Sequence, residues 1–374
     1  MKYIHIVQFH LMSGGGVGSV ITDLCEAMAK KSDGVYAISL FRRDGLDFGE
    51  EQEWASRVGV HSILLQQDKK DSVLRVLCAL RREIRALAKD DECILYLHLK
   101  WGVLTGILAT LGLKNVKRVE VYHSGYMQYK LQAFLSKPFI DKYIAVSKDA
   151  KRQLMEWFRV REDKIEVVYN GVDVQGIREA ARGAVPAAGF SFVSVGRLSF
   201  EKGFKTPIQS YAELRREGAL AGTSYTMIGT GDQMDECVAL AGGCVHFTGL
   251  IPRASVYPKI AASDVVVLPS LWEGNSILML EVLALGKPMA LTDIPSFREV
   301  LDFKPLEENE VCRTEWFGVV FRKEDVKSCR EALTMAFSLR DSFPEMSRRI
   351  ATLGDAFSTE KQARDYMRVF DTTE

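Results

Sequence analysis

The chain has 374 residues, 47% hydrophobic and 26% charged; that excludes a disordered protein, and the length exceeds what one hydrophobic core usually organises, so two domains are expected. Lys+Arg and Asp+Glu balance at 49 each, which removes the basic excess of a general nucleic-acid binder and predicts no nucleic-acid partner. Seven scattered cysteines with no C-x-x-C pair argue against a zinc or disulfide framework, and the opening MKYIHIVQFHLMSGGG holds too short an apolar run for a signal peptide or membrane span, so a cytoplasmic protein is expected.

In chain order, short β-branched runs alternate with longer segments of helical period, the pattern of a parallel sheet wrapped by helices. The first strand, YIHIVQF from Tyr3, leads into Ser13-Gly14-Gly15-Gly16-Val17-Gly18-Ser19 and then a helix. Glycines there let backbone N–H groups approach a phosphate with no Cβ in the way. As a dinucleotide fingerprint the loop lacks the third Gly/Ala, and the next strand, VYAISLF from Val35, ends in Phe41-Arg42-Arg43 rather than an acidic ribose ligand. An Arg suits a 2′-phosphate, so an NADP-dependent reductase stays open at this point.

The segment RVLCALRREIRALAK from Arg75 sets Arg81, Arg82, Arg85 and Lys89 beside Leu77, Leu80, Ile84 and Leu87. It reads as an amphipathic helix covering the sheet; because residues 1–180 carry 27 basic against 23 acidic side chains, peripheral contact with an anionic membrane is the alternative. Strands CILYLHL, RVEVYH, YIAVS and IEVVY follow. His123 ends RVEVYH, where an imidazole can donate to a sugar hydroxyl or carry a proton near neutrality. His5, His10, His61, His98 and His246 show no ligand spacing and read as packing or surface residues. The stretch NGVDVQGIREAARGAVPAAG is a turn and connector; the first domain is placed at residues 1–180 and the second at 181–356.

The second series of strands runs FSFVSVG from Phe190, SYTMIG, CVHFTG, DVVVLPS and KPMALT. After the first comes Gly196-Arg197-Leu-Ser-Phe-Glu-Lys202-Gly203, whose Arg fork and Lys point charge, at a strand's C-terminal end, suit a diphosphate. After DVVVLPS comes Glu273-Gly-Asn-Ser-Ile-Leu-Met-Leu-Glu281, with a helix starting near Asn275 or Ser276 and its N-terminus favouring an anion. At ~1.5 Å per residue the two carboxylates lie up to about 12 Å apart, farther than the roughly 5 Å of a retaining glycosidase pair, and suit gripping two parts of one extended ligand. No D-x-D pair occurs, so no metal is expected at the diphosphate. The final segment FSTEKQARDYMRVF offers Ser358 as an N-cap and Ala363, Tyr366, Met367 and Phe370 at helical spacing; residues 357–374 are expected to complete the first domain.

Together the glycine loop, VSKDAKRQL from Val146, YNGVD at Tyr169–Asp173, GRLSFEKG, IGTGD, the Glu-x7-Glu segment followed by GKP, and FSTEKQ make the chain resemble the retaining GT-B glycosyltransferases of family four, over nearly its whole length. The resemblance implies two Rossmann-like, doubly wound parallel-sheet domains facing a central cleft, the first on the acceptor side and the second binding a nucleotide sugar. It implies a UDP-sugar or other nucleoside-diphosphate-sugar donor and a glycan, lipid-linked or small-molecule acceptor, in bacterial surface polysaccharide synthesis. It further implies that Glu273 contacts the donor sugar, Glu281 the ribose hydroxyls, Arg197 and Lys202 the diphosphate, that Gly15 and Gly16 approach it, and that His123 meets the sugar. Ile251, Asn275, Ser276 and Ile277 join the donor-binding set. No cofactor, metal or covalent nucleophile is implied; the leaving diphosphate takes the acceptor's proton. The polar pair Asn275-Ser276 stands where the family commonly has Phe or Leu followed by Gly or Pro, which bears on sugar identity. A non-catalytic partner subunit of the same fold is the rival reading.

Overall fold

The computed structural model describes residues 1–9, 11, 16–42, 48–66, 72–123 and 134–371. They form two compact units, residues 1–172 with 359–374, and residues 173–358.

The first unit is built on seven parallel strands, β1 (Lys2–Val7), β2 (Val35–Ser39), β3 (His61–Leu64), β4 (Cys93–His98), β5 (Val116–Tyr122), β6 (Lys142–Ala145) and β7 (Ile165–Val167), in the order β3-β2-β1-β4-β5-β6-β7. Helices α1 (Gly16–Ala29), α2 (Phe48–Val58), α3 (Val73–Leu87), α4 (Leu99–Thr110) and α5 (Lys148–Phe158) connect them. Every residue of β4 is buried, which is why CILYLH is apolar almost throughout instead of alternating: helices cover both faces of a parallel sheet. Strand order reverses between β1 and β4, so the loops leaving their carboxyl ends diverge to opposite faces and open a crevice there. The C-terminal helix belongs to this unit. Ala363, Tyr366 and Val369 are in its core, and the Tyr96 hydroxyl donates to the Tyr366 carbonyl at 2.7 Å.

Leu11, between β1 and α1, is held by contacts that the glycine motif alone does not reveal. A Cβ on Gly18 would stand 2.6 Å from the Leu11 carbonyl oxygen, so glycine permits that approach. The Leu11 N–H donates to the buried Glu51 carboxylate at 2.7 Å, which also accepts from the Ser62 hydroxyl at 2.6 Å.

The second unit has β8 (Ser191–Val195), β9 (Ser224–Ile228), β10 (His246–Gly249), β11 (Val265–Leu268), β12 (Met289–Thr292), β13 (Cys312–Glu315) and β14 (Gly318–Phe321), in the order β10-β9-β8-β11-β12-β14-β13. All its pairings are parallel save β13 with β14; only Trp316 and Phe317 join those two, too short a link for a crossover. Helices α6 (Val174–Ala180), α7 (Lys205–Arg216), α8 (Met234–Ala241), α9 (Arg253–Ala262), α10 (Ile277–Ala284), α11 (Pro295–Leu301), α12 (Val326–Ser338) and α13 (Phe343–Gly354) surround the sheet, and α14 (Thr359–Met367) is the helix returned to the first unit. Its strand order reverses between β8 and β11, so the two motif-bearing loops leave the sheet on either side of the switch point.

Candidate functional site

The loops after β8 and β11 are bound to each other before any ligand is considered. After β8 the chain passes Gly196, exposed Arg197 and buried Leu198 into a 3-10 turn at Phe200–Lys202, which Gly203 ends with φ +66. A Cβ on Gly203 would lie 2.3 Å from the Pro269 carbonyl oxygen. Glycine is therefore required twice over, for the left-handed backbone and for the approach to the end of β11. The Leu271 N–H donates to the Glu201 carbonyl at 2.9 Å, and the Thr292 hydroxyl fixes the Ser270 carbonyl at 2.6 Å.

That scaffold delivers Lys202 to Glu273. The Lys202 ammonium meets Glu273 Oε1 at 2.6 Å, and the Ser270 hydroxyl donates to the same oxygen at 2.8 Å. Glu273 is largely enclosed, its side chain 13% exposed against 31% for Lys202. The pair is near neutral as a unit, yet an ammonium has three donors and one is spent on Glu273, which leaves capacity for an anion. Sequence spacing put Lys202 and Glu273 in separate motifs; the structure brings them into contact.

The second carboxylate sits in α10, which starts where Ser276 caps it, the Ser276 hydroxyl accepting from the Met279 N–H at 3.5 Å. Glu281 is 8% exposed in an otherwise apolar helix. Its Oε1 accepts from the Arg253 guanidinium at 3.1 Å and from the Tyr257 hydroxyl at 3.0 Å, both on α9. A buried carboxylate needs such partners, since an unpaired charge there is costly. Arg253 and Tyr257 were not in the expected site; their i, i+4 spacing, which puts both on one helix face, was the available signal. Asn275 and Ser276 are buried and Ile277 half-buried at the helix start, and Ile251 is half-buried between β10 and α9.

The IGTGD motif does structural work. A Cβ on Gly229 would lie 1.9 Å from the Gly196 carbonyl oxygen and one on Gly231 2.3 Å from that of Leu198, while the Leu198 N–H donates to the Thr230 carbonyl at 3.0 Å. These glycines seat the end of β9 against the Arg197-bearing loop.

In the first unit, Gly15 and Arg43 lie outside the described residues, as does His10. Gly16 begins α1, and a Cβ there would meet no described residue within 4 Å. His123 follows β5 directly and is half-buried. Its Nε2 is 3.0 Å from Nδ1 of buried His98, whose Nε2 is 3.0 Å from Nδ1 of buried His5. Desolvation lowers the His123 pKa to about 4 and that of His5 to about 3, and lowers His98 as well. The expectation that His5 and His98 are packing residues needs enlarging: they also hydrogen-bond in series to His123. His61 and His246 are exposed, as expected.

Arg81, placed with the other cations of α3, is exposed but donates to the carbonyls of Ala109 and Leu111 at 2.9 and 3.0 Å. Among the described residues no three His, Cys, Asp or Glu side chains cluster as metal ligands, and no helix is long and apolar enough to cross a membrane. All seven cysteines are free thiols.

Two family models match: Glycosyltransferase Family 4 over residues 14–175 and Glycosyl transferases group 1 over residues 189–336. The glycosyltransferase MJ1607 of Methanocaldococcus jannaschii is 28% identical over 174 residues, 42% of this chain and 44% of the relative. Glycogen synthase of Mycobacterium tuberculosis is 29% identical over 167 residues, 43% of this chain and 39% of that enzyme. The chain thus spans under half the length of each of these curated relatives. Among solved structures, Anabaena HepE in complex with UDP and glucose is similar over 100% of both chains with a TM-score of 0.77 at 14% identity, a likeness of fold.

Proposed function

Since the chain belongs to the GT-B glycosyltransferases of family 4 and group 1, we propose that it moves a hexose from a nucleoside-diphosphate sugar to an acceptor hydroxyl, with retention at the anomeric carbon and without a metal. The observation that carries this reading is the Lys202–Glu273 contact at 2.6 Å, formed where the loops after β8 and β11 leave the switch point of the second sheet. Open α/β sheets bind ligands at that place.

In this reading Arg197 and Lys202 neutralise the diphosphate, most strongly as it leaves, and the start of α10 adds its N–H groups and dipole. Glu273, held by Lys202 and Ser270, orients the sugar and faces positive charge developing near its anomeric carbon. Glu281 accepts from the ribose hydroxyls, with Arg253 and Tyr257 fixing the carboxylate. Ile251, Asn275, Ser276 and Ile277 line the donor, and Gly15 and Gly16 approach the diphosphate. His123, at the carboxyl end of the first sheet, donates to a sugar hydroxyl. As the acceptor's oxygen attacks the anomeric carbon, the bond to the diphosphate breaks on the same face and a diphosphate oxygen takes the acceptor's proton. UDP is the favoured nucleotide, as in the HepE complexes. The acceptor is a glycan, glycolipid or small molecule of bacterial surface polysaccharide synthesis, and the protein works in the cytoplasm or at the inner face of the membrane.

The test is nucleotide release from UDP- and GDP-sugars with and without candidate acceptors, in EDTA, with the product anomer read by NMR. Release and an unchanged anomeric configuration in EDTA support the proposal. An inverted product removes retention, activity only after Mn²⁺ removes metal independence, and no release from any donor favours a non-catalytic subunit. Lys202→Ala and Arg197→Ala should each lower turnover by about 10²–10³-fold, the scale of losing one group that stabilises developing charge.

A further inference from the structure

Three imidazoles run across the first sheet, His5 on β1, His98 at the end of β4 and His123 just past β5, with 3.0 Å between ring nitrogens at each step. Neighbouring rings are nearly parallel, at 18° and 29°. The inner end is closed: His5 stacks on Tyr96 at 4.7 Å, Tyr366 lies beyond at 6.3 Å, and the Tyr96 hydroxyl is committed to the Tyr366 carbonyl. Among the described residues, His5 Nε2 is buried with no hydrogen-bond partner. The outer end, His123, is half-buried. The turn that sets the middle ring is itself unusual, since Leu99, which follows His98, has φ +58. A side-chain-bearing residue in the left-handed region costs about 1–2 kcal/mol and persists where its surroundings impose it.

A neutral imidazole has one N–H and one bare nitrogen, so a chain of three has only two self-consistent polarities. In one, His5 Nδ1–H donates to His98 Nε2, His98 Nδ1–H donates to His123 Nε2, and His123 is left with an outward Nδ1–H. In the other, every proton moves to the opposite nitrogen, and an N–H is stranded at His5 Nε2. Orphaned buried N–H groups are the rarer and costlier defect, and the first polarity avoids one. From this chain we infer that His98 and His5 are positioning residues that fix His123 as a neutral Nδ1–H donor, so that it offers a directed hydrogen bond to a sugar hydroxyl and does not exchange a proton during transfer. The inference rests on the placement of His123 at a sugar proposed above, but the tautomer itself does not. The lowered pKa values of all three rings agree with a neutral chain. The hydrogen bond on one ring nitrogen sets what the other presents.

The experiment is ¹⁵N-histidine NMR of the full chain at pH 7.5, assigned by His→Gln substitution, together with donor kinetics. Wild type should show His5, His98 and His123 in the Nδ1–H form, opposite to the Nε2–H form that histidine prefers in water. His98→Phe removes the groups that hold His123 and leaves its inward nitrogen against an apolar ring: kcat should fall about 10-fold or more, the scale for losing a partner that orients a functional histidine, while donor KM stays within about twofold. His98→Gln retains an acceptor toward His5 and a donor toward His123 and should keep both the tautomer and most of kcat. His123 in the Nε2–H form in wild type or in His98→Gln overturns the inference, as does a folded His98→Phe with wild-type kcat where His123→Phe has lost it. The wild-type spectrum and His98→Gln decide the matter if His98→Phe does not fold. If the wild-type and His98→Gln tautomers are as expected while His98→Phe and His123→Phe both turn over like wild type, the chain stands and the placement of His123 at the sugar falls.

Discussion

Glu273 and Glu281 lie in one nine-residue segment but have different partners, and they should fail differently. Glu281 is held by Arg253 and Tyr257 whether or not the sugar bond is stretched; a ribose contact there is equal in ground and transition states. Glu281→Ala should therefore raise donor KM more than it lowers kcat. Glu273→Gln keeps the shape but removes the charge facing Lys202, and should lower kcat. Small and equal effects of both on kcat and donor KM, in folded protein, would mean that the segment is not the donor site. A second residue-scale prediction concerns Glu120 on β5, whose Oε2 is buried without a partner among the described residues and whose pKa burial raises from 4.5 to about 7. Between those values the native carboxyl keeps a proton that the unfolded chain has released, so this residue's contribution to stability falls as pH rises through that window. His5 and His123, lowered from 6.5 to about 3 and about 4, act in the opposite sense: the unfolded state takes up protons first, and stability falls as pH drops below 6.5. Glu120→Gln should raise stability at pH 8 by about 1–3 kcal/mol and change it little at pH 5. Thermal denaturation at the two pH values checks this; an equal shift at both pH values would assign the effect to packing.

At the scale of elements, the critical device is the turn after β8. Gly203→Ala adds a Cβ at φ +66 that would stand 2.3 Å from a backbone oxygen, and backbone cannot swing aside as a side-chain tip can. The turn must move away from β11, carrying Lys202 off Glu273. The expected result is loss of most turnover with folding retained, read by activity and circular dichroism; full activity would show that the pair tolerates displacement. Helix α3 shows the limit of reading charge from a pattern. Its apolar face, Val76, Leu80 and Ile84, is buried, and Arg81 is occupied by carbonyls of the following helix and its end. Arg81, Arg82, Arg85 and Lys89 are all exposed, with Arg81 tied to carbonyls, so any attraction to anionic lipid is electrostatic and screened by salt. Cosedimentation with anionic vesicles should occur at low salt, weaken at physiological salt and disappear in Arg82→Glu/Arg85→Glu; no binding at either salt leaves α3 as a plain sheet-covering helix.

At the scale of the molecule, a donor that binds only the native protein stabilises it by mass action, about 2.7 kcal/mol at one hundred times Kd. A panel of UDP- and GDP-sugars should therefore show a melting shift with the true donor, reduced in Lys202→Ala; no shift with any sugar nucleotide at millimolar concentration would count against donor binding. The two α/β sheets and the positions of the motif-bearing loops were legible in the sequence, because buried parallel strands are marked by β-branched runs such as DVVVLPS and helix starts by residues such as Ser276. The candidate carboxylates and cations were singled out by their place directly after buried strands and by the family resemblance, since taken alone such charged residues are more often ordinary surface groups. Which of them touch was not visible. Lys202 and Glu273 are 71 residues apart, Arg253 and Glu281 are on different helices, and His5, His98 and His123 sit on or just past three strands whose adjacency depends on the reversal of strand order between β1 and β4. Local sequence fixes which backbone each segment adopts and which residues stand at its ends; only the packing of the strands decides which polar groups lose water together and must therefore satisfy one another.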